Sequence, residues 1–276
     1  MRIRSGLEAG YPYSLSRYTD LPAGKWEWFQ RQLEMGLMMA LDPTTGVPAK
    51  WSLSPDDTLG LIFWTRQPEN LLRSAKMLHR YRVKVHVTVT GWHEVERGGP
   101  SLEEGSEWLK KTVKTFGIEN VSWRFSPVPM VADVLARFQR ILDHAHEAGL
   151  FSVYLSFLQP NDRYPELRGE KEQIDLLDEM GFQAEKRGIQ VILCREARKT
   201  PELWQTWKSD VCAPPEDFHL PSRATPTSEG CGCVHMVDPF TINEACVFNC
   251  GYCYTANRTS SPHKRNTTKL PVLNGR

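Results

Sequence analysis

The chain has 276 residues, with 34 Lys and Arg against 33 Asp and Glu and a formal net charge of +1. Hydrophobic residues make up 40% and charged residues 24%, which excludes global disorder and leaves enough apolar mass for one large α/β domain or two small ones. No apolar run approaches the roughly 20 residues of a bilayer span. The opening Met-Arg-Ile-Arg-Ser-Gly-Leu-Glu lacks the apolar stretch of a signal peptide, so a cytoplasmic protein away from membranes is expected.

Residues 13–17 read as a strand, and 26–35, with Trp26, Phe29 and Leu33 at helical spacing, as an amphipathic helix. A strand at 61–65 precedes a helix at 69–78 that starts after Pro68. A strand at 83–90 precedes a helix at 101–116, opened by the capping box Ser-Leu-Glu-Glu. Two more pairs follow, strand 121–125 with helix 130–148 and strand 151–157 with helix 171–187, and then a strand at 190–194. This alternation predicts an α/β fold, a partial or complete (β/α) barrel of about six to seven parallel strands, with an open doubly wound sheet as the alternative. Leu61-Ile62-Phe63-Trp64, apolar on both faces, suits a sheet covered by helices. Residues 1–257 are expected to form a single domain. It includes a Pro-, Thr- and Ser-rich linker at 197–230 and a cysteine-rich segment at 231–254, with a short strand at 236–242. Residues 258–276 read as a basic flexible tail.

Seven cysteines without a secretion signal point to metal or catalysis rather than disulfides, and the odd count divides as three plus four. Cys246, Cys250 and Cys253 have the spacing Cys-x3-Cys-x2-Cys, which holds three irons of a 4Fe–4S cubane and leaves the fourth open. Cys194, Cys212, Cys231 and Cys233 form the second set, suited to an auxiliary 4Fe–4S cluster or to structural zinc, with Cys194 as a buried strand cysteine the simplest alternative.

The string Cys-Val-Phe-Asn-Cys-Gly-Tyr-Cys-Tyr at 246–254 resembles the signature of radical S-adenosylmethionine enzymes. There the loop usually follows the first strand, whereas here it comes last. A circularly permuted barrel, with strand 236–242 beside strand 13–17, accommodates that order. The chain also resembles a domain-of-unknown-function family of radical-S-adenosylmethionine-like proteins with C-terminal cluster cysteines. The matching strings are Ser-Arg-Tyr-Thr-Asp-Leu-Pro-Ala at 16–23, Leu-Ser-Pro-Asp-Asp at 53–57, Phe-Trp-Thr-Arg-Gln-Pro at 63–68, Thr-Val-Thr-Gly-Trp at 88–92, Pro-Ser-Leu-Glu-Glu at 100–104 and Cys-Gly-Cys-Val at 231–234. The chain departs at Arg-Phe-Ser-Pro, 124–127, where the family tends to have Arg-Tyr-Asp-Pro, which leaves no acid at position 126.

The resemblance implies that Cys246, Cys250 and Cys253 ligate a catalytic cluster whose open iron chelates S-adenosyl-L-methionine. Reductive cleavage would yield a 5′-deoxyadenosyl radical that takes hydrogen from a substrate. A low-potential donor such as flavodoxin or ferredoxin would be the partner. Tyr252 is placed by the resemblance near the adenine, and Tyr252 and Tyr254 alternatively shield the cluster. In the permuted order Thr19 and Asp20 are candidate acceptors for the methionyl ammonium and Arg17 a partner for a carboxylate, with Asp20 equally suited to cap a helix. Thr65, Arg66, Thr88, Thr90 and Arg124 stand at other expected strand ends, where barrel sites gather. The substrate stays open. A nucleobase in DNA or RNA, or a nucleotide, is one class, motivated by Trp26, Trp28, Trp64, Trp92, Trp123 and the basic tail. A zinc-stabilised binding module without catalysis is another, and an electron-transfer protein a third.

Overall fold

The computed structural model describes residues 3–93, 95–96, 98–128, 131–158, 170–194, 212–220, 226–228, 231–240 and 246–253. In chain order the first elements are β1 (Ile3–Arg4), α1 (Gly6–Ala9), β2 (Tyr13–Ser14), α2 (Leu21–Gly24), α3 (Trp26–Met35), β3 (Leu37–Leu41) and β4 (Pro48–Ser52). Next come β5 (Leu61–Thr65), α4 (Glu69–Arg73), α5 (Ala75–Leu78), β6 (Val83–Thr88), α6 (Leu102–Phe116), β7 (Val121–Val128) and α7 (Val134–Glu147). The last are β8 (Ser152–Phe157), α8 (Glu170–Glu185), β9 (Gln190–Leu193), β10 (Pro226–Ser228) and β11 (Cys231–Val234).

Six strands form one parallel sheet in the order β2-β5-β6-β7-β8-β9. Each neighbour follows its predecessor in the chain, the progressive winding of a barrel rather than the reversing order of a doubly wound sheet. The C-terminal segment adds a seventh place. Val237 pairs in parallel with Tyr13, its N–H donating to Pro12 O at 3.0 Å while Ser14 N–H donates to Val237 O at 2.9 Å. The chain's late segment therefore lies beside its first barrel strand, as the permuted order requires. The result is an arc, a partial barrel among the described residues.

The strands alternate by face. Val83, Val85 and Val87 of β6, Val121, Trp123 and Phe125 of β7, and Val153, Leu155 and Phe157 of β8 enter the main core. They pack against Leu109, Phe138, Ile141, Leu142, Leu177 and Met180 of the outer helices, and Trp123 stacks on Phe138 at 5.5 Å. The opposite face carries Lys84, His86, Thr88, Ser122, Arg124, Ser126, Tyr154 and Ser156. A parallel sheet buried on both sides reads as continuous apolar runs. β5 and the short β9, with Val191, Ile192 and Leu193 all buried, do so here, whereas β6, β7 and β8 enclose a polar lumen. The apolar double-faced reading drawn from 61–64 thus holds for those two strands and not for the middle of the sheet.

Residues 212–220 close the N-terminal end of that lumen. Phe218, Ala213 and Met236 pack on Leu59 and Ile62, and a Cβ on Gly60 would stand 2.8 Å from the Phe218 ring. Lys84 pairs with Asp217 at 3.1 Å.

The capping box at Ser101 and Glu104 forms as read from the sequence, with Glu104 N–H donating to Ser101 Oγ at 3.2 Å and Ser101 N–H to Glu104 Oε2 at 2.9 Å. The single helix expected at 69–78 is two, α4 and α5, broken at Ser74, whose Oγ accepts from Trp26 Nε1 at 3.1 Å. The expected strand at 13–17 is ladder-paired at Tyr13 and Ser14 and continues through Leu15 N–H to Ile62 O at 2.9 Å. A three-stranded sheet, β1-β4-β3, has no counterpart in the sequence reading. Its β3–β4 hairpin turns on Asp42, which accepts from Thr44 and Thr45 N–H at 2.9 and 2.8 Å, and on Gly46 at φ 68°. Of the expected strand at 236–242, Val237 is paired and 241–242 lie outside the described residues. The tail at 258–276 and the linker residues 197–211, 221–225 and 229–230 lie outside them as well, while 212–220, expected as part of a loop, pack on the barrel.

Candidate functional site

The ends of β2, β5 and β6 and the cysteine loop line one cavity of about 140 Å³. Its walls are Ser16, Arg17, Tyr18, Thr19, Asp20, Trp64, Thr65, Arg66 and Thr88 from the strand ends, and Cys246, Phe248, Cys250, Tyr252 and Cys253 from the loop. The sequence-predicted residues Arg17, Thr19, Asp20, Thr65, Arg66 and Tyr252 thus meet the three cysteines. Tyr254 lies outside the described residues.

Local geometry holds the loop. Asn249 takes φ 40°, a left-handed conformation that asparagine tolerates, and its N–H returns to Cys246 O at 3.3 Å. Cys253 N–H donates to Cys250 O at 3.0 Å, and Gly251 N–H to Val95 O at 2.9 Å, which ties the loop to the segment after β6. Gly24 at the end of α2 admits Val247, because a Cβ there would stand 2.5 Å from Val247 Cγ1.

Behind the cavity lies a buried polar network. Arg66 Nη1 donates to Glu96 Oε2 at 2.8 Å and Nη2 to the Tyr252 hydroxyl, which in turn donates to Glu96 Oε1. Thr90 Oγ1 donates to both Glu96 oxygens at 2.9 Å. Glu96 is 2% exposed and escaped the sequence reading. The signal lay in Gly-Trp-His-Glu-Val-Glu at 91–96, a polar segment leaving a strand end, but two glutamates there gave no way to choose. Burial and the adjacent acid push the Tyr252 phenol well above its ordinary value.

Asp20 performs the capping role, accepting from Ala23 N–H at 3.2 Å, and also accepts from Thr65 Oγ1 and Arg66 N–H, both at 2.7 Å. Burial pushes its carboxyl up to about 6, against those three hydrogen bonds. Its oxygens are spent on the protein, so it organises the strand ends of β2 and β5.

Burial also pushes the Cys250 thiol up to about 12, with Arg66 opposing. Burial raises Cys246 too, while the backbone N–H groups of Phe248 and Asp20, directed at its sulfur, favour the thiolate. Three clustered thiols, N–H donors on one sulfur and a guanidinium nearby are a donor set that fits an anionic iron–sulfur cluster. Among the described residues no three His, Cys, Asp or Glu side chains stand as the ligands of a single ion do. A cubane asks for a looser set, since each thiolate binds a different iron.

A second cysteine group forms inside the lumen. Cys212 and Cys233 Sγ lie 3.4 Å apart, and the Cys194 thiol hydrogen-bonds Cys212, all three being free cysteines. The Cys231 side chain lies outside what is described. Arg124, expected among the cofactor-binding residues at the first cavity, belongs here instead. Its position on β7 points its guanidinium along the lumen to Cys194, with Cys212 and Cys233 nearby. His86, its neighbour from β6, is 3% exposed, stacks on Trp64 at 5.4 Å and meets Tyr154 edge-on at 5.8 Å. Of the tryptophans proposed to line a cavity, Trp64 lines the cysteine-loop cavity and Trp26 and Trp28 line a separate cavity of about 700 Å³ along α3, whereas Trp92 and Trp123 are core. Ser126, where an acid was expected from the family pattern, hydrogen-bonds Ser156.

Among solved structures, a xylose isomerase domain protein from Planctomyces limnophilus is similar at 17% identity and TM-score 0.29, over 44% of this chain and 48% of that one. No curated protein matches. A family model described as a domain of unknown function matches residues 13–255, nearly the whole chain, and on that match the chain belongs to the DUF1848 family.

Proposed function

We propose that the protein is a radical S-adenosylmethionine enzyme. The observation that carries this reading is the cavity in which Cys246, Cys250 and Cys253 face Arg17, Thr19, Thr65, Arg66 and Thr88 at the ends of parallel strands. Cys246, Cys250 and Cys253 would hold a 4Fe–4S cluster there, which with S-adenosylmethionine and an electron from a donor such as flavodoxin or ferredoxin would supply radical chemistry for hydrogen abstraction. The protein's part is to hold and shield. Backbone N–H groups of Phe248 and Asp20 stabilise the Cys246 thiolate, and Arg66 offsets negative charge at Cys250. Thr19, Thr65 and Arg17 line the wall that would receive the methionyl group. Tyr252, fixed by Glu96 and Arg66, closes the cavity beside Cys253.

Cys194, Cys212 and Cys233, with Cys231 as the fourth thiolate expected from the sequence, would take a second iron–sulfur cluster in this reading. The test is anaerobic purification with iron and sulfide analysis. About seven to eight irons per chain are expected, falling by about four in Cys250→Ala and by about four in Cys194→Ser. Zinc without iron would replace the reading with a metal-stabilised binding module.

A further inference from the structure

Among the described residues six buried side-chain polar atoms have no hydrogen-bond partner, and three of them share the lumen wall: Ser16 Oγ, His86 Nδ1 and Arg124 Nη1. Buried polar groups are hydrogen-bonded as a rule, so three such atoms on one surface mark a place where another molecule belongs. Register sets them close together. Trp64 of β5 is level with His86 of β6, and Thr88 of β6 with Arg124 of β7. Trp64 and Thr88 line the cysteine-loop cavity together with Ser16. Residues level with one another on paired strands share a face of the sheet, so the cavity wall continues past Trp64 and Thr88 to His86 and Arg124. β2 and β6 flank β5, which puts Ser16 and His86 two strand spacings apart, about 10 Å, with Arg124 one strand further on. The Trp64 stack at 5.4 Å and the Tyr154 edge at 5.8 Å fix the imidazole.

The chemistry of the three atoms describes what fits them. A guanidinium is always charged, and buried charges are paired as a rule. No carboxylate among the described residues pairs with Arg124. Its contact is with the Cys194 thiol, which leaves Nη1 over, and Ser126, next on the same face of β7, is bonded to Ser156. An oxyanion supplies both the acceptor and the charge. A hydroxyl donates and accepts, so it satisfies His86 Nδ1 in either tautomer, and Ser16 Oγ besides. Resting on the cavity reading above, we infer that this wall is its substrate end and binds a small hydroxylated acid, with the carboxylate or phosphate on Arg124 and hydroxyls on His86 and Ser16.

The experiment is isothermal titration calorimetry on the full-length protein, purified anaerobically, with four probes of similar size: glycerate, glycerol 3-phosphate, propionate and glycerol. Saturable binding of glycerate or glycerol 3-phosphate is expected, and the tighter of the two names the oxyanion. Propionate lacks the hydroxyls and glycerol lacks the charge, so each should bind at least about tenfold more weakly. Arg124→Lys keeps a cation but loses the fork, and should weaken the acids about tenfold. His86→Phe keeps a ring against Trp64, and should bring the hydroxylated acid down to the level of propionate while leaving propionate unchanged. Ser16→Ala, the loss of one oxygen, should act in the same direction and serves if His86→Phe does not fold. Binding of none of the four, equal binding of glycerate, propionate and glycerol, or binding that these variants leave unchanged would overturn the inference and leave water as the occupant. 5′-Deoxyadenosine formation is measured beside it. An acid bound without that product strikes the radical reading and leaves the binding site standing, whereas product without any acid bound strikes the binding site alone.

Discussion

Glu96→Gln removes the carboxylate that pairs with the Arg66 guanidinium inside the network behind the cysteine loop. The Arg66 side chain is 11% exposed and that of Glu96 3%, so water does not screen the pair. Breaking a buried pair by removing one partner costs about 3–5 kcal/mol, because the other charge is left uncompensated. Glutamine retains an oxygen that accepts one of the two bonds, which places the cost near the lower end, about 3 kcal/mol. For a chain somewhat above the 150–250-residue range, where each kcal/mol moves the midpoint about 2–4 °C, the shift lies at the low end and the apo protein should melt about 5–6 °C lower. Tyr252→Phe leaves the ion pair intact and deletes a hydroxyl, a loss of about 1–2 kcal/mol and about half that shift or less. The assay is thermal denaturation of chelator-treated protein followed by circular dichroism, which keeps cluster loss out of the transition. A Glu96→Gln midpoint within a degree of the parent, or a Tyr252→Phe midpoint below that of Glu96→Gln, would refute the assignment of Glu96 as the charge partner that anchors the loop.

Gly24→Ala should displace the cysteine loop through the contact with Val247, costing about 1–3 kcal/mol and lowering iron content after gel filtration, and Gly24→Ala with Val247→Ala should restore both. If iron retention is unchanged in the single variant, the loop does not depend on that approach. Asp238 accepts from Ser14 Oγ at 3.0 Å and Phe240 N–H at 2.9 Å, and burial pushes its carboxyl up to about 7. A raised folded value means the proton is held more tightly in the fold. Its stabilising contribution is full below about pH 4 and is lost as pH rises to 7. Urea denaturation should therefore show Asp238→Asn gaining stability relative to the parent between pH 4 and 7, with a constant difference above. A difference that does not vary with pH would reject the raised value. Lysine at position 124 should preserve charge but lose the planar donor set. Arg124→Lys should then keep the iron of the second centre and shift its reduction potential by protein-film voltammetry, where an unchanged potential would remove Arg124 from the cluster's surroundings.

Much of the barrel was legible because βα units announce themselves locally. The strand cores at 61–65 and 190–193 and the helix at 26–35 needed only periodicity, and the capping box named the start of α6. The place of the C-terminal segment beside Tyr13 was legible from the displaced cysteine motif, because the resemblance sets such a loop next to a first barrel strand. The hairpin of β3 and β4 was not. Leu-Met-Met-Ala-Leu has no polar alternation, and the turn chemistry of Asp42 and Gly46 passed for an ordinary loop. Arg124 shows the limit for the site. Strand-end position was read correctly, but which of two cysteine groups it faces depends on its register with Thr88 and Tyr154 across the sheet, a long-range fact. Glu96 and Gly24 each meet the cysteine loop through a partner more than 150 residues away, Tyr252 and Val247, which no local pattern announces.

The most direct measurement is 5′-deoxyadenosine production by anaerobically reconstituted protein with dithionite and S-adenosylmethionine, beside Cys250→Ala prepared identically. The account predicts 5′-deoxyadenosine and methionine in equal amounts from the parent and none above background from the variant. Equal product from both, or none from a parent that holds its full iron and sulfide, would contradict it.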